Sequence, residues 1–154
     1  CERDIFCLPT MPQLRTTCHL DGDATFVEGD AYKHFDDSIA AICDFDRRDY
    51  LYEVRYGVLV KTGFDNIITA GRTASADGYG WDVLRVIPPA IITGQAAGDA
   101  CAQAIDTDKP IYGIDIKTLQ NTLESENVMI HFDDSLIPDA SKEGVGEKVD
   151  VGHI

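Results

Sequence analysis

The sequence is poor in positive charge. Thirteen Lys and Arg stand against 27 Asp and Glu, for a net charge of -14 at pH 7. The densest basic pair, Arg47-Arg48, sits between Asp46 and Asp49. No basic stripe exists to track a phosphate backbone, which excludes a nucleic-acid partner. Also missing is any Cys-x-x-Cys pair. Cys1, Cys7, Cys18, Cys43 and Cys101 are scattered, with no His partner at metal-ligand spacing. That leaves no zinc module and no metal site to expect. An odd, irregular set is not a disulfide framework, so a reducing, cytoplasmic setting is expected. There is no Gly-x-Ser-x-Gly elbow, and Ser75 has no base near it in sequence, so no serine hydrolase is indicated. No apolar span of about 18 residues runs without interruption, which argues against a membrane partner. No signal peptide and no internal repeat are visible. The chain opens on Cys1 rather than Met and reads as a piece of something longer.

What is present is an ordinary globular composition, 44% hydrophobic over 154 residues, enough for one domain with a core. The pattern points to an α/β fold in which sheet strands pack on one long helix. Alternation over residues 52–61 predicts a strand, and residues 39–45 are apolar enough for a buried strand or short helix. Residues 16–27 suggest strand, turn and strand, and residues 66–70 a short buried strand. Residues 86–105 read as one long apolar helix opening on Pro88-Pro89, where missing N–H groups cost nothing. Gln95, Asp99 and Gln103 mark it as a core helix, with Gly94 and Gly98 among the small residues that permit close packing. Asp115 caps a second helix with Ile116, Leu119, Gln120 and Leu123 at helical spacing. Residues 1–15 look irregular. Residues 1–130 are expected to form the domain, and residues 131–154 an acidic tail, flexible or extended.

One stretch carries a chemical argument. The run at 66–70 ends in Gly71-Arg72, a small-residue loop follows, and the long helix starts near Val86. Glycine at a strand end lets a ligand approach the backbone. A helix start aims free N–H groups and its positive dipole end at electron-rich atoms. Arg72 and Arg85 would each serve an anionic ligand there, or simply pair with an acid. The loop Asp77–Asp82, DGYGWD, reads equally as an aromatic flap or as a packed corner. Elsewhere the bland readings prevail. Asp21–Asp23 fails as a calcium loop because its sixth position is Phe26 and its twelfth Tyr32. His34, His131 and His153 stand isolated in sequence. Cys18, Cys43 and Cys101 read as packed thiols.

The residues YEVRYGVLVKTGFDNIITAGRTAS and LRVIPPAIITGQAAGDACAQAI together resemble the C-terminal part of the FAD-dependent oxidoreductases with the two-dinucleotide-binding fold. FDDSIAAICDFD looks like a segment preceding them, so the resemblance spans about residues 11–125. It implies a partial FAD/NAD(P)-binding type domain that contributes the flavin-side strand, loop and helix, with hydride transfer to or from FAD in the intact protein. By position, Gly71 and Arg72 would lie near the ribityl and phosphate part. Val86 and Ile87 would offer N–H groups to the pyrimidine edge of the isoalloxazine, with Arg85 beside them. No catalytic residue can be assigned: where many relatives have a histidine and an acid after the Ala-Gly-Arg run, this chain has Ala76-Asp77-Gly78. The family's Gly-x-Gly-x-x-Gly unit for the ADP half is absent. The expected partner is therefore a missing N-terminal half, or a second copy of the fragment, and the fragment alone is expected to be inactive and to bind FAD poorly. The rival readings are a non-catalytic acidic α/β interaction module and an enzyme using NAD alone. The second suffers from the same missing fingerprint.

Overall fold

The computed structural model describes residues 15–139 and Gly146. Its centre is a two-stranded antiparallel sheet of β1 (Ser38–Cys43) and β2 (Leu51–Arg55), with Ala40 opposite Val54, Ala41 opposite Glu53 and Ile42 opposite Tyr52. Ile39, Ala40, Tyr52 and Val54 are fully buried, so both faces of the pair are covered. The free edge of β1 is occupied as well. Ala41 N–H donates to the Met129 carbonyl at 2.7 Å, and Ser38 Oγ donates to the Ile130 carbonyl at 2.5 Å. A covered edge removes a template for unwanted strand pairing.

Two helices close the core. α2 (Ile87–Thr107) turns Pro89, Thr93, Ala96 and Ala100 inward. α3 (Ile116–Ser125) starts at Asp115, whose carboxylate accepts from Lys117 N–H, and buries Leu119, Gln120 and Leu123. Burying each leucine contributes about 1.5–3 kcal/mol. The Gln120 amide is not stranded: Nε2 donates to the carbonyls of Asp36 and Ser38, both at 2.9 Å, tying α3 to the start of β1.

The rest of the core is a lacing of extended segments. Leu20 N–H donates to Thr73 O, Ala24 N–H to Gly57 O, Phe26 N–H to Ser75 O and Ser75 N–H to Val58 O, each within 3.0 Å. Glycine permits the approach: a Cβ on Gly22 would stand 2.7 Å from the Gly57 carbonyl.

Several sequence expectations change here. The strand expected over 52–61 stops at Arg55. Tyr56–Val58 then forms a 3-10 turn, fixed by Tyr56 N–H on the Asp37 carbonyl. The segment 66–70 is no buried strand: Asn66 and Ile67 are exposed, and pairing is limited to an isolated bridge of Ile68 with Val60 and the Thr69 N–H on the Leu59 carbonyl. The strand–turn–strand expected over 16–27 reduces to one parallel bridge, Phe26 with Ala76. DGYGWD lies at the start of a helix, α1 (Gly78–Leu84), with Asp77 as its cap. Glycine has low helix propensity. Yet Gly80 is what lets α1 sit on the Phe26–Val27 backbone, since a Cβ there would meet Phe26 O at 2.8 Å. Cys18 and Cys43, expected to be packed, are exposed. Residues 1–14 lie outside the described residues, as does the expected tail beyond residue 139 apart from Gly146. Within 131–139, Phe132 is buried and Asp134–Leu136 forms a 3-10 turn.

α2 is a core helix on one side only. Ile87, Ile91 and Ile105 are exposed, and a Cβ added at Gly94 or Gly98 would meet nothing within 4 Å. The close packing expected at those glycines is absent among the described residues, because their face points away from the sheet.

Asp99, also on α2, has a buried Oδ2 with no hydrogen-bond partner. Burial first, and then the Glu126 charge, raise its pKa above the usual carboxylate value. A raised folded-state pKa means that the ionised form costs stability. The penalty is present at neutral pH, shrinks as pH falls through the folded pKa and is gone below the unfolded one. Asp99→Asn should therefore raise the unfolding midpoint at neutral pH and lose that advantage in acid. Thermal melts at the two pH values check this.

Candidate functional site

The start of α2 is built by the sequence around it. α1 ends at Leu84, Val86 is extended, and Pro88-Pro89 opens the next helix with no side-chain cap. Two of the N–H groups a helix start exposes are thus missing, and the first turn presents chiefly the amides of Val86 and Ile87. The 3-10 turn Gly71–Thr73 is fastened to the same helix. Gly71 N–H donates to Thr93 Oγ1 at 2.9 Å, and Thr93 Oγ1 donates to the Pro89 carbonyl at 2.7 Å. Gly71 has φ +58°, and a Cβ there would lie 3.1 Å from the Ala90 Cβ. Both features favour glycine.

A cleft of about 620 Å3 opens where the end of β1 meets this helix start. Its walls are Ala41, Ile42, Cys43 and Phe45 on one side and Arg85 to Pro89 with Ile92 on the other. That volume falls within the roughly 300–1,000 Å3 of small-molecule sites. Phe45 stacks on Tyr79, with centroids 6.5 Å apart and planes 22° apart. The Arg47 guanidinium lies 4.1 Å from the Tyr79 centroid. Tyr79 OH donates to Asp44 Oδ1 at 2.8 Å. Burial, and next that bond, push the Tyr79 phenol well above its ordinary pKa, so it stays a neutral donor.

The structure places three of the five sequence-predicted residues, Arg85, Val86 and Ile87, on the cleft. Arg85 Nε donates to Asp82 Oδ1 at 2.7 Å, so part of its fork serves an ion pair. Gly71 and Arg72 do not line the cleft. Gly71 is buried against α2 one turn in, and exposed Arg72 accepts from Trp81 Nε1 through its carbonyl at 2.9 Å. Sequence reasoning missed Phe45 and Cys43 as wall residues. The signal was there in the apolar run of 39–45 ending beside a charged loop, but not the neighbour it would face. It also missed that His34 and His131 meet, at Glu53.

The family described as FAD dependent oxidoreductase matches residues 5–123. The chain belongs to that family, and its mixed arrangement of helices on a small sheet is compatible with a partial α/β domain of it. No curated protein and no solved structure gave a significant match. Among the described residues, no helix is long and apolar enough to cross a membrane.

Proposed function

We propose that this chain supplies the flavin side of an FAD-dependent oxidoreductase and that the cleft at the start of α2 receives the isoalloxazine. The observation that carries the reading is the meeting of apolar walls with an uncapped helix start. A flavin ring is a planar apolar body with an electron-rich pyrimidine edge, so the donor set fits it. Flavin, when bound, supplies the hydride acceptor or donor at N5. The chain's own residues do the rest. Val86 and Ile87 N–H groups and the positive end of α2 stabilise negative charge at the pyrimidine edge. Phe45, Ile42 and Ile92 exclude water from the ring. The Gly71 N–H to Thr93 to Pro89 chain of hydrogen bonds holds the first turn in place. Arg85 lends positive charge, tempered by Asp82.

The ADP half needs a phosphate-cradling loop, and none is present in this sequence. We assign it to an N-terminal half that also covers the outer face of α2. Exposed Ile87, Ile91 and Ile105, with bare Gly94 and Gly98, give that half an apolar, close-approach surface. This chain alone should then show no micromolar affinity when titrated with FAD in a calorimeter. Micromolar or tighter binding to the lone chain would overturn the division of labour, though not the cleft itself.

A further inference from the structure

We propose that His34, His131 and Glu53 form a binding site for one divalent first-row transition-metal ion, with Asp134 orienting His34 from behind. The three ligand atoms come from segments far apart in sequence and lie within 4.8 Å of one another. His34 Nδ1 stands 2.5 Å from Glu53 Oε1, and His131 Nδ1 stands 2.9 Å from the same oxygen. Glu53 has no exposed side-chain surface, while the two histidines are 43% and 41% exposed. The carboxylate is thus fixed deep, and the imidazoles form an open mouth through which an ion can enter.

The surroundings are those of a built site. Phe35 N–H donates to Glu53 Oε2 at 2.7 Å, which turns Oε1 toward both rings. His34 Nε2 lies 2.7 Å from Asp134 Oδ1. When a metal takes the Nδ1 position, the Nε2 proton donated to that carboxylate leaves the Nδ1 lone pair free for the ion. This is the carboxylate–histidine–metal arrangement that fixes a tautomer and raises ligand basicity. The His34 ring also packs on Phe132, with centroids 4.3 Å apart. In the metal-free protein ring N–H groups hydrogen-bond to Glu53 Oε1 and hold the two imidazoles on it. A metal ion replaces the ring protons that otherwise hold them together, releasing those protons to solvent. Zn–N distances of about 2.0–2.1 Å put tetrahedral ligand atoms roughly 3.4 Å apart, so each half-exposed ring must back off Glu53 Oε1 by less than about 1 Å, while the two ring nitrogens, within 4.8 Å of each other, stay within reach of one ion. Two imidazoles and one carboxylate suit Zn2+ or Fe2+ and leave coordination positions for water or substrate.

The site stands apart from the flavin reading. His131 and Asp134 fall beyond residues 5–123, so the family match does not account for it. Glu53 is directly opposite Ala41, which lines the cleft, so the two sites are neighbours on the sheet.

The test is titration of the whole chain with Zn2+ by calorimetry and with Co2+ by visible absorption. The expected result is one ion bound at micromolar or tighter affinity, with a Co2+ spectrum free of the sulfur charge-transfer band that the exposed cysteines would produce. His131→Gln, at an exposed ring, should lower affinity at least about 100-fold without loss of the fold, and Asp134→Asn about 10–100-fold. Glu53→Gln should abolish binding, and circular dichroism shows whether it folds. Unchanged Zn2+ affinity in His131→Gln, a thiolate-type Co2+ spectrum, or no binding by the wild-type chain would overturn the assignment.

Discussion

Ile87→Asp should leave the fold of this chain alone as stable as before while weakening FAD binding by the intact protein. Ile87 is 75% exposed in the chain alone, so its loss there removes little buried surface. An acid in the first turn of a helix interacts well with the dipole, by about 0.3–1 kcal/mol. The thermal midpoint should therefore hold or rise slightly. The flavin sees the opposite effect. The new carboxylate cancels the positive helix end and faces the carbonyl oxygens and N1 of the pyrimidine edge, where charge grows on reduction. Like charges about 4 Å apart repel by roughly 4 kcal/mol near a protein surface, and the partial charge of oxidised flavin feels a fraction of that. A rise in the FAD dissociation constant of about 10–100-fold follows, since each factor of ten corresponds to about 1.4 kcal/mol. Fluorescence titration of released flavin reads this directly. An Ile87→Asp protein that holds FAD as tightly as wild type would show that the helix start does not face the ring.

Gly71→Val should produce a large loss of stability, about 2–6 kcal/mol. Two costs combine. Gly71 sits at φ +58°, a region that strains any residue with a Cβ and β-branched residues most, by about 1–3 kcal/mol. Its Cβ would also lie 3.1 Å from the Ala90 Cβ, and the two γ-methyls must find room in a packed corner for about 1–3 kcal/mol more. The turn can move only by breaking the Gly71 N–H bond to buried Thr93. The damage thus passes to the first turns of α2, and flavin binding should fall along with stability. Urea denaturation gives the first number. If the midpoint hardly moved, the fastening of the 71–73 turn to α2 would not be structural.

How much of this was legible beforehand follows from the range of the forces involved. α2 and α3 could be read because their signals are local: Pro88-Pro89 at one helix start, Asp115 capping the other, and apolar residues at helical spacing. Gly71 does lie against α2, but at the start of a 3-10 turn rather than at a strand end, and it does not line the cleft. The strand over 52–61 was read too long because alternation reports which residues are apolar, not whether a partner strand exists beyond Arg55. α1 escaped notice because two glycines lower helix propensity, whereas the contact of Gly80 with the Phe26–Val27 backbone, which favours glycine, is tertiary. The His34–Glu53–His131 cluster was invisible for the same reason: its ligands are separated by 19 and 78 positions, and no short motif spans such distances. Only coordinates separate Arg85 on the cleft from Arg72 beside Trp81.

The most direct measurement is the visible absorbance of the protein expressed together with its proposed N-terminal half and dialysed free of loose cofactor. The cleft at the start of α2 should then hold one FAD per chain, giving a yellow protein that bleaches on reduction and that loses flavin more readily on dialysis when it carries Ile87→Asp. A folded, colourless wild-type protein that takes up no FAD when it is supplied would contradict the account.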